Sequence, residues 1–332
     1  MENSQKKQHY YYQHIGDFKR ELRDAIPHDV VQELHQCSAV RHFIVTARQI
    51  TGATLCIAVI LLSDRWFYWL PCSIALGFII FDCTILLHEV IHNLVLPKKN
   101  KALDRLLGWL YTLPSGISQT QFKRWHLDHH AKLGSSCDDP KRAHLTPKIN
   151  KRWYKLLYAT PFLFYKYFNA AAQEVRGYPE KLRATIKIER LITISIHFVI
   201  MAGIGWLGGG WILLKVYLIP YFFVFPVAFT LNRLGQHYNI NPDDVAQWST
   251  LMQGSFLWDF VFLNSNYHLE HHYFPGIPLY NLPRVHHLLE PLYKRHGMKK
   301  QTYTKLLSGW FIENRAPHTN WDAPEQAKID SL

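Results

Sequence analysis

The sequence of 332 residues has few cysteines and no pattern that would pair them. They are Cys37, Cys56, Cys72, Cys83 and Cys137. None forms a CxxC pair and three lie in apolar stretches, so neither disulfides nor thiolate metal ligands are predicted. The first 40 residues are polar and carry both charge signs, which is not the pattern of a cleavable signal peptide. Any insertion into a membrane is therefore expected to depend on internal apolar segments.

The sequence also lacks internal repeats and the motifs of haem, flavin and iron–sulfur proteins. What it has in excess is positive charge and histidine. There are 37 Lys and Arg against 25 Asp and Glu, a formal charge of +12, and 20 histidines. Such a charge suits nucleic acid, a membrane surface or an acidic protein partner. The position of the charge along the chain distinguishes between these partners.

Four segments approach or reach the roughly 20 apolar helical residues that cross the hydrocarbon core of a bilayer. They form two pairs, 43–62 with 66–87 and 189–207 with 211–231, and three residues separate the members of each pair. Such short connections predict two helical hairpins. The expected fold is therefore an all-α integral membrane protein with four transmembrane helices, forming a single domain over 1–332. Two shorter apolar segments, near 103–117 and 155–172, fit helices at the membrane interface.

Two hairpins return the chain to its starting side, so the remaining segments are expected on one face of the membrane. These segments are 1–42, 88–188 and 232–332. From position 88 to 187 there are 18 Lys and Arg against 7 Asp and Glu, whereas the first far-side turn has only Asp64 and Arg65. This bias predicts that the three segments form a helical cap on the cytoplasmic face. The membrane is expected to be a bacterial inner membrane or the endoplasmic reticulum. The positive charge thus reflects topology, and nucleic acid is not an expected partner.

Three histidine clusters lie in this predicted cap. Their sequences are HEVIHN from His88 to Asn93, HLDHH from His126 to His130 and HLEHH from His268 to His272. Histidines three or four positions apart share one face of a helix, so each cluster directs its imidazoles the same way. Imidazole binds Fe, Cu, Ni and Zn, and eight histidines exceed what one ion can use. The clusters therefore predict a site for two metal ions.

Imidazoles that bind a metal need a hydrogen-bond partner for their second nitrogen. Polar residues inside the clusters are candidates, and each also has an ordinary interpretation as a solvated or capping residue. They are Glu89, Asn93, Asp128 and Glu270. Asp82 is a further candidate because an ionisable residue at membrane depth is often functional, although it also fits a position at the interface. Among the other histidines, His197 is expected to pack or hydrogen-bond, and His286, His287 and His296 are expected at the surface.

The three clusters together resemble the membrane fatty acid desaturase family, whose signature is an HxxxH or HxxxxH box followed by two HxxHH boxes. The phrase NYHLEHHYFP, from Asn266 to Pro275, is typical of the family's last box. The resemblance implies a further ligand at His237, with Gln236 beside it as a second-nitrogen partner. It also implies that nine histidines hold two irons. They are His88, His92, His126, His129, His130, His237, His268, His271 and His272.

The resemblance implies a reaction as well as a site. Unactivated methylene C–H bonds do not react with side-chain acids and bases, which is why such reactions use metals and O2. The expected reaction is the O2-dependent introduction of a double bond into a fatty acyl or related lipid chain. Lipid and carotenoid hydroxylases or ketolases share the three boxes, so hydroxylation stays an alternative. The implied electron donor is an external ferredoxin or b-type cytochrome, attracted by basic residues such as Lys123 and Arg124.

Two other protein classes share part of the pattern. His88 to His92 also reads as HExxH, the motif of zinc hydrolases, and a membrane zinc protease is a remote alternative. That reading needs one metal and leaves both HxxHH boxes without a role. A metal transporter would place its ligands near the bilayer midplane between broken helices, whereas the clusters here lie outside the apolar segments.

Overall fold

The computed structural model describes residues 15–133, 139–238, 240–241 and 244–318. These residues contain helices and no β-strand, apart from an isolated bridge that pairs Met252 with Gln301. The all-α prediction is confirmed for this part of the chain. Four of the cysteines are described as free thiols, and Cys137 lies outside the described residues.

Fifteen α-helices occur in the described residues. In chain order they are α1 Gly16–Ala25, α2 His28–Leu34, α3 Ala39–Leu62, α4 Trp66–Ile91, α5 Lys101–Ser115, α6 Gln119–Lys132, α7 Arg152–Leu157, α8 Phe162–Arg176, α9 Glu180–Leu213, α10 Phe225–His237, α11 Phe256–Val261, α12 His268–Tyr273, α13 Leu282–Leu288, α14 Glu290–Arg295 and α15 Tyr303–Leu307. Three π-helical segments lie at Lys141–Leu145, Leu214–Val224 and Ser308–Ile312. Such segments change the register of a helix.

The residues cluster into two compact units, each built from separate stretches of chain. Within the described residues, the first unit takes 15–36, 124–158 and 231–318, and the second takes 37–123 and 159–230. The first unit contains most of the short helices and both HxxHH boxes. The second contains the long apolar helices. The prediction of a single domain over 1–332 stays a prediction.

Three helical stretches of the described chain are long and apolar enough to cross a membrane. They are α3, α4 and the continuous stretch Glu180–His237. Only 11% of the apolar window of α3 is buried, and Leu55 and Leu62 are exposed. An exposed apolar surface of this extent is typical of a membrane-facing or protein-facing helix rather than of one in water. Because α4 continues to Ile91, beyond the predicted end at position 87, His88 lies in its last helical turn.

The stretch Glu180–His237 reverses direction at its glycines. Gly209 has φ 75° and ψ 174°, a conformation that only glycine adopts without strain. Beyond it, the ring of Tyr221 lies 5.1 Å from that of His197, and His197 Nε2 lies 2.8 Å from the carbonyl oxygen of Leu113. In an uninterrupted helix, residues 24 positions apart are separated by roughly 36 Å. The chain therefore folds back at the glycines, and His197 forms hydrogen bonds, as predicted.

Helix α4 is central in the second unit, where it packs against α3, α5 and the π-helical segment Leu214–Val224. Buried polar contacts connect it to its neighbours. Gln49 of α3 donates to Asp82 at 2.9 Å, and Ser73 donates to the backbone carbonyl of Lys215 at 2.6 Å. The ammonium of Lys215 donates to Asp64 at 3.1 Å, and Asp64 is exposed. Lys215 thus keeps a charge partner at the end of the span.

Side-chain hydrogen bonds also stabilise the first turns of α5 and of α6, the helix that carries the second histidine box. Asn100 accepts hydrogen bonds from the amides of Ala102 and Leu103 at 3.1 Å and so caps α5. At the start of α6, the buried carboxylate of Glu189 accepts from the hydroxyl of Ser118 at 2.6 Å and from the amide of Thr120 at 3.0 Å. A negative charge at a helix N-terminus is stabilising. Residues distant in sequence therefore fix the first turn of α6.

Gly77→Ala is expected to destabilise the second unit. A Cβ at this position would lie 2.4 Å from the Val224 Cβ and 2.7 Å from the Pro220 carbonyl oxygen. Overpacking of this kind costs about 1–3 kcal/mol. The measurement is the apparent Tm of the detergent-solubilised protein. Gly203→Ala is the control, because its new Cβ meets nothing within 4 Å. Equal melting temperatures for the two variants would contradict the close packing at Gly77.

Candidate metal centre

Seven of the nine predicted ligands belong to the first unit, on three helices. The second box occupies the last turns of α6, His237 is the last residue of α10, and α12 carries the third box. Helical spacing places the histidines of each box on one side, as predicted. The tertiary structure then gathers the seven imidazoles into two groups.

The four-histidine group consists of His129, His237, His268 and His272. All four side chains are buried, and one nitrogen of each lies within 4.8 Å of the others. The Nε2 atoms of neighbouring rings are separated by 3.1, 3.2 and 3.0 Å along this series. Two imidazole nitrogens about 2.1 Å from one ion, at right angles, lie roughly 3.0 Å apart. The spacing therefore fits ligands of a single metal ion.

The second nitrogens of two of these rings fix their tautomers. His237 Nδ1 lies 3.0 Å from the carbonyl oxygen of Trp248, which can only accept, so Nδ1 carries the proton. His129 Nδ1 lies 2.9 Å from both carboxylate oxygens of Asp139. With Asp139 ionised, both rings carry their proton on Nδ1, and the two Nε2 lone pairs face each other at 3.1 Å. Facing lone pairs repel each other, and a metal cation between them removes the repulsion.

Electrostatics favour the form of histidine that binds metals. Burial, together with neighbouring imidazoles and Lys141, lowers the pKa of His129, His268 and His272 well below the ordinary value. The rings are therefore neutral, as metal ligands must be. Burial raises the pKa of Asp139 to about 7, and the nearby Lys141 opposes this shift. A cation bound to His129 would further favour the ionised carboxylate.

The three-histidine group consists of His126, His130 and His271. The Nε2 atoms of His126 and His130 lie 2.9 Å apart, and those of His130 and His271 lie 3.0 Å apart. His126 and His271 are buried. The same spacing therefore recurs in a second group of imidazoles, which fits a second ion. The helix α12 supplies histidines to both groups.

The remaining predicted ligands, His88 and His92, belong to the second unit. They lie at the end of α4, one turn apart, with ring centroids separated by 4.6 Å. Glu89 is buried, with an oxygen 4.0 Å from His88 Nδ1, which is too long for a hydrogen bond. Asn93 is exposed and has φ 58°, typical of a residue that ends a helix.

The other candidates for second-nitrogen partners have contacts of their own. Asp128 pairs with Arg124 at 2.7 Å, and Gln236 donates to the side chain of Asn232 at 2.8 Å. Asp82 accepts from Gln49, as described above. Glu270 is fully buried and accepts from His286 and Tyr293. The predicted role of all six candidates stays a prediction.

Sequence reasoning missed the partners that the structure gives to His129 and His237. Asp139 lies ten positions after His129, and the Trp248 contact is made by a backbone carbonyl, so no local spacing indicates either one. The surface prediction for His286 is wrong, because its side chain is 3% exposed. His287 is exposed as predicted, and the partly exposed His296 contacts Glu21 at 2.9 Å.

The second unit contains an apolar cavity of about 70 Å³. Its lining is aromatic and aliphatic except for Thr84, Ser115 and the hydroxyl of Tyr167. Its residues are Thr84, Ser115, Gly116, Ile117, Phe122, Leu163, Phe164, Tyr167, Phe168, Phe225 and Phe229. Thr84 lies one helical turn before His88 on α4. Such a lining suits a hydrocarbon chain and offers little to a charged ligand.

Known proteins resemble this chain over most of its length. The family described as "Fatty acid desaturase" matches residues 64–304. The sphingolipid delta(4)-desaturase/C4-monooxygenase of Homo sapiens is 26% identical over 267 residues, which cover 76% of this chain and 75% of the human protein. The sphingolipid delta(4)-desaturase of Drosophila melanogaster is 25% identical over 246 residues, with 72% of each chain covered.

Asp139→Ala is expected to weaken the metal site around His129. The variant leaves Nδ1 without its buried acceptor, and losing such a partner reduces metal affinity about 10–100-fold. The measurement is iron per chain, by mass spectrometry of the metal, after dialysis against a chelator. The expected result is the loss of one of two ions. Asp128→Ala is the matched control, since Asp128 pairs with Arg124. Retention of both ions in Asp139→Ala, or an equal loss in Asp128→Ala, would contradict the assignment.

Proposed function

The chain belongs to the fatty acid desaturase family, and we propose that it uses O2 to introduce a double bond into the hydrocarbon chain of a membrane lipid. The observation that carries this proposal is the four-histidine group, in which the buried Nε2 atoms of neighbouring rings lie 3.0–3.2 Å apart. The similar sphingolipid desaturases suggest a substrate with a sphingoid or fatty acyl chain.

The proposed metal centre contains two irons held by nine histidines, namely the eight of the three boxes and His237. Support comes from the two groups in the first unit and, for His88 and His92, from the box spacing alone. Bound iron would supply the activation of O2 and the removal of hydrogen from a methylene group. The protein holds the ligands neutral, fixes the tautomers of His129 and His237, and excludes bulk water from the four-histidine group.

The substrate chain is proposed to occupy the apolar cavity of the second unit. The cavity residues Phe164 and Phe225 stack with ring centroids 5.8 Å apart and give it rigid walls. The hydrocarbon chain of a lipid can move from the bilayer interior into such a cavity without burying an unpaired polar group. The apolar lining therefore accounts for binding of the hydrocarbon chain. The polar headgroup would bind to other parts of the protein.

We also propose the predicted topology. The reversal at Gly209 supports two crossings within Glu180–His237, which gives four crossings in two hairpins. The charge bias of the sequence supports a cytoplasmic location for the histidine boxes. The membrane would be a bacterial inner membrane or the endoplasmic reticulum. Electrons would come from an external ferredoxin or b-type cytochrome, and the exposed Lys123 is one residue that an acidic donor would contact.

Hydroxylation is the second candidate, since one similar protein is named both a desaturase and a C4-monooxygenase. The two reactions share the first removal of hydrogen and differ in the fate of the carbon radical. The zinc-protease interpretation of HExxH has no such support. It requires one metal, whereas the first unit alone contains two groups of imidazoles.

The proposed function is tested by expressing the chain in a host with defined lipids and comparing lipid masses. A desaturase product is lighter by two hydrogens, and a hydroxylase product is heavier by one oxygen. His129→Ala and His271→Ala are each expected to abolish the product without removing the protein from the membrane. His287→Ala is the control, because this histidine is exposed. Full activity in either box variant would refute the metal centre.

The proposed substrate cavity is tested by Ile117→Phe. The larger side chain fills part of the cavity, so kcat/KM for the longest accepted chains should fall about tenfold and shorter chains should be favoured. The measurement is the chain-length distribution of the product. Ile192→Phe is the control, because Ile192 is an exposed residue of α9. An unchanged distribution in Ile117→Phe would place the substrate elsewhere.

A further inference from the structure

The helix α12 is too short to hold its own orientation. It has six residues, His268–Tyr273, all of them buried, and no side chain caps its N-terminus. Isolated helices shorter than about 12 residues are marginal in water, so contacts from outside must fix this one. Its orientation matters because it supplies two ligands to the four-histidine group and one to the three-histidine group.

The geometry of α12 separates its ligands from Glu270. At 3.6 residues per turn, His268, His271 and His272 fall within about 100° of arc, and Glu270 lies on the opposite side. Glu270 is fully buried, so its carboxylate needs partners inside the protein. Those partners come from the two helices that follow. His286 Nδ1 lies 2.5 Å from Glu270 Oε1, and the hydroxyl of Tyr293 donates to the same oxygen at 2.6 Å.

The contacts around Glu270 form a compact buried set. His286 is 3% exposed, Tyr293 is buried, and their ring centroids lie 5.4 Å apart. Burial and the carboxylate of Glu270 raise the pKa of Tyr293 well above its ordinary value, so its hydroxyl remains a donor. Both groups donate to the same carboxylate oxygen. They therefore resist rotation of α12 about its axis.

Other contacts hold the two ends of α12. Before the helix, Asn266 and Tyr267 donate to Asp259 at 2.8 and 2.9 Å. At its end, the hydroxyl of Tyr273 donates to the carbonyl of Ala246. Glu270 is the contact in the middle of the helix and on the side away from the ligands. It is thus placed to set the direction of the imidazoles.

We propose that His286 and Tyr293 are positioning residues for the metal centre, acting through the buried carboxylate of Glu270. The inference rests on the proposed function, because it assumes that the boxes hold metal. Since α12 contributes to both groups of imidazoles, a loss of its orientation loosens both ions together. Asp139 hydrogen-bonds to His129 of the four-histidine group, so its loss is by contrast expected to affect one ion.

The test compares two amide replacements of the same histidine. An Asn side chain places its N–H near the position of the imidazole Nδ1, whereas a Gln side chain places it near Nε2. Because the contact to Glu270 uses Nδ1, His286→Asn is expected to retain two irons per chain and His286→Gln to lose both. Chelator extraction of iron from the full-length protein should be about 10–100-fold faster in His286→Gln.

Two further variants keep the test decisive. His287→Gln makes the same change at the exposed neighbour and should behave as the unchanged protein. Tyr293→Phe removes only a hydroxyl, so this variant should fold. It should still release both irons several-fold faster than the unchanged protein. If neither His286 variant folds, Tyr293→Phe alone tests the positioning role. The Tm of each variant is measured alongside, because a merely structural role would lower it equally in His286→Asn and His286→Gln.

The outcomes separate the inference from the proposed function. Unchanged extraction in His286→Gln or Tyr293→Phe, equal loss in the two amide variants, or release of one ion before the other would overturn the positioning role. An unchanged protein that binds no iron would instead overturn the proposed metal centre. Two irons in the unchanged protein, with parallel loss in His286→Gln and retention in His286→Asn, would support both.

Discussion

Facing lone pairs on buried imidazoles are the constraint on which the first unit depends. One nitrogen from each of four imidazoles lies within 4.8 Å of the others, and Asp139 and the Trp248 carbonyl hold the protons of two rings on Nδ1. Without a cation such an arrangement is repulsive, and with one it is a preorganised site. The low pKa values of these buried histidines have the same origin, since a charged imidazolium is disfavoured there. Burial, tautomer and spacing therefore all favour the metal-bound state.

The first unit meets this constraint with short helices held by specific contacts. Helix α12 is anchored in its middle by Glu270, which accepts from His286 and Tyr293. Short helices place ligands accurately only when side chains from elsewhere determine their direction. This dependence on outside contacts explains why His286 and Tyr293 are buried beside the third histidine box.

The second unit has a different physical task. Its helices are long, apolar and largely exposed along α3, which suits lipid, and its aromatic cavity suits a hydrocarbon chain. Polar contacts within it, such as Gln49 with Asp82, join helices whose apolar surfaces alone would not specify their pairing in lipid. Glycine is used where the chain must turn or approach closely, at Gly209 and Gly77.

The sequence by itself determined the all-helical class, the apolar segments, the family and the histidine boxes, because each depends on composition or on spacing within a few helical turns. Tertiary structure decided the rest. It alone divided seven imidazoles into two groups, gave His129 and His237 their partners at Asp139 and Trp248, and buried His286 against Glu270. Helical periodicity fixes which side chains share a face, but contacts between distant segments depend on how the helices pack, and no local pattern contains that information.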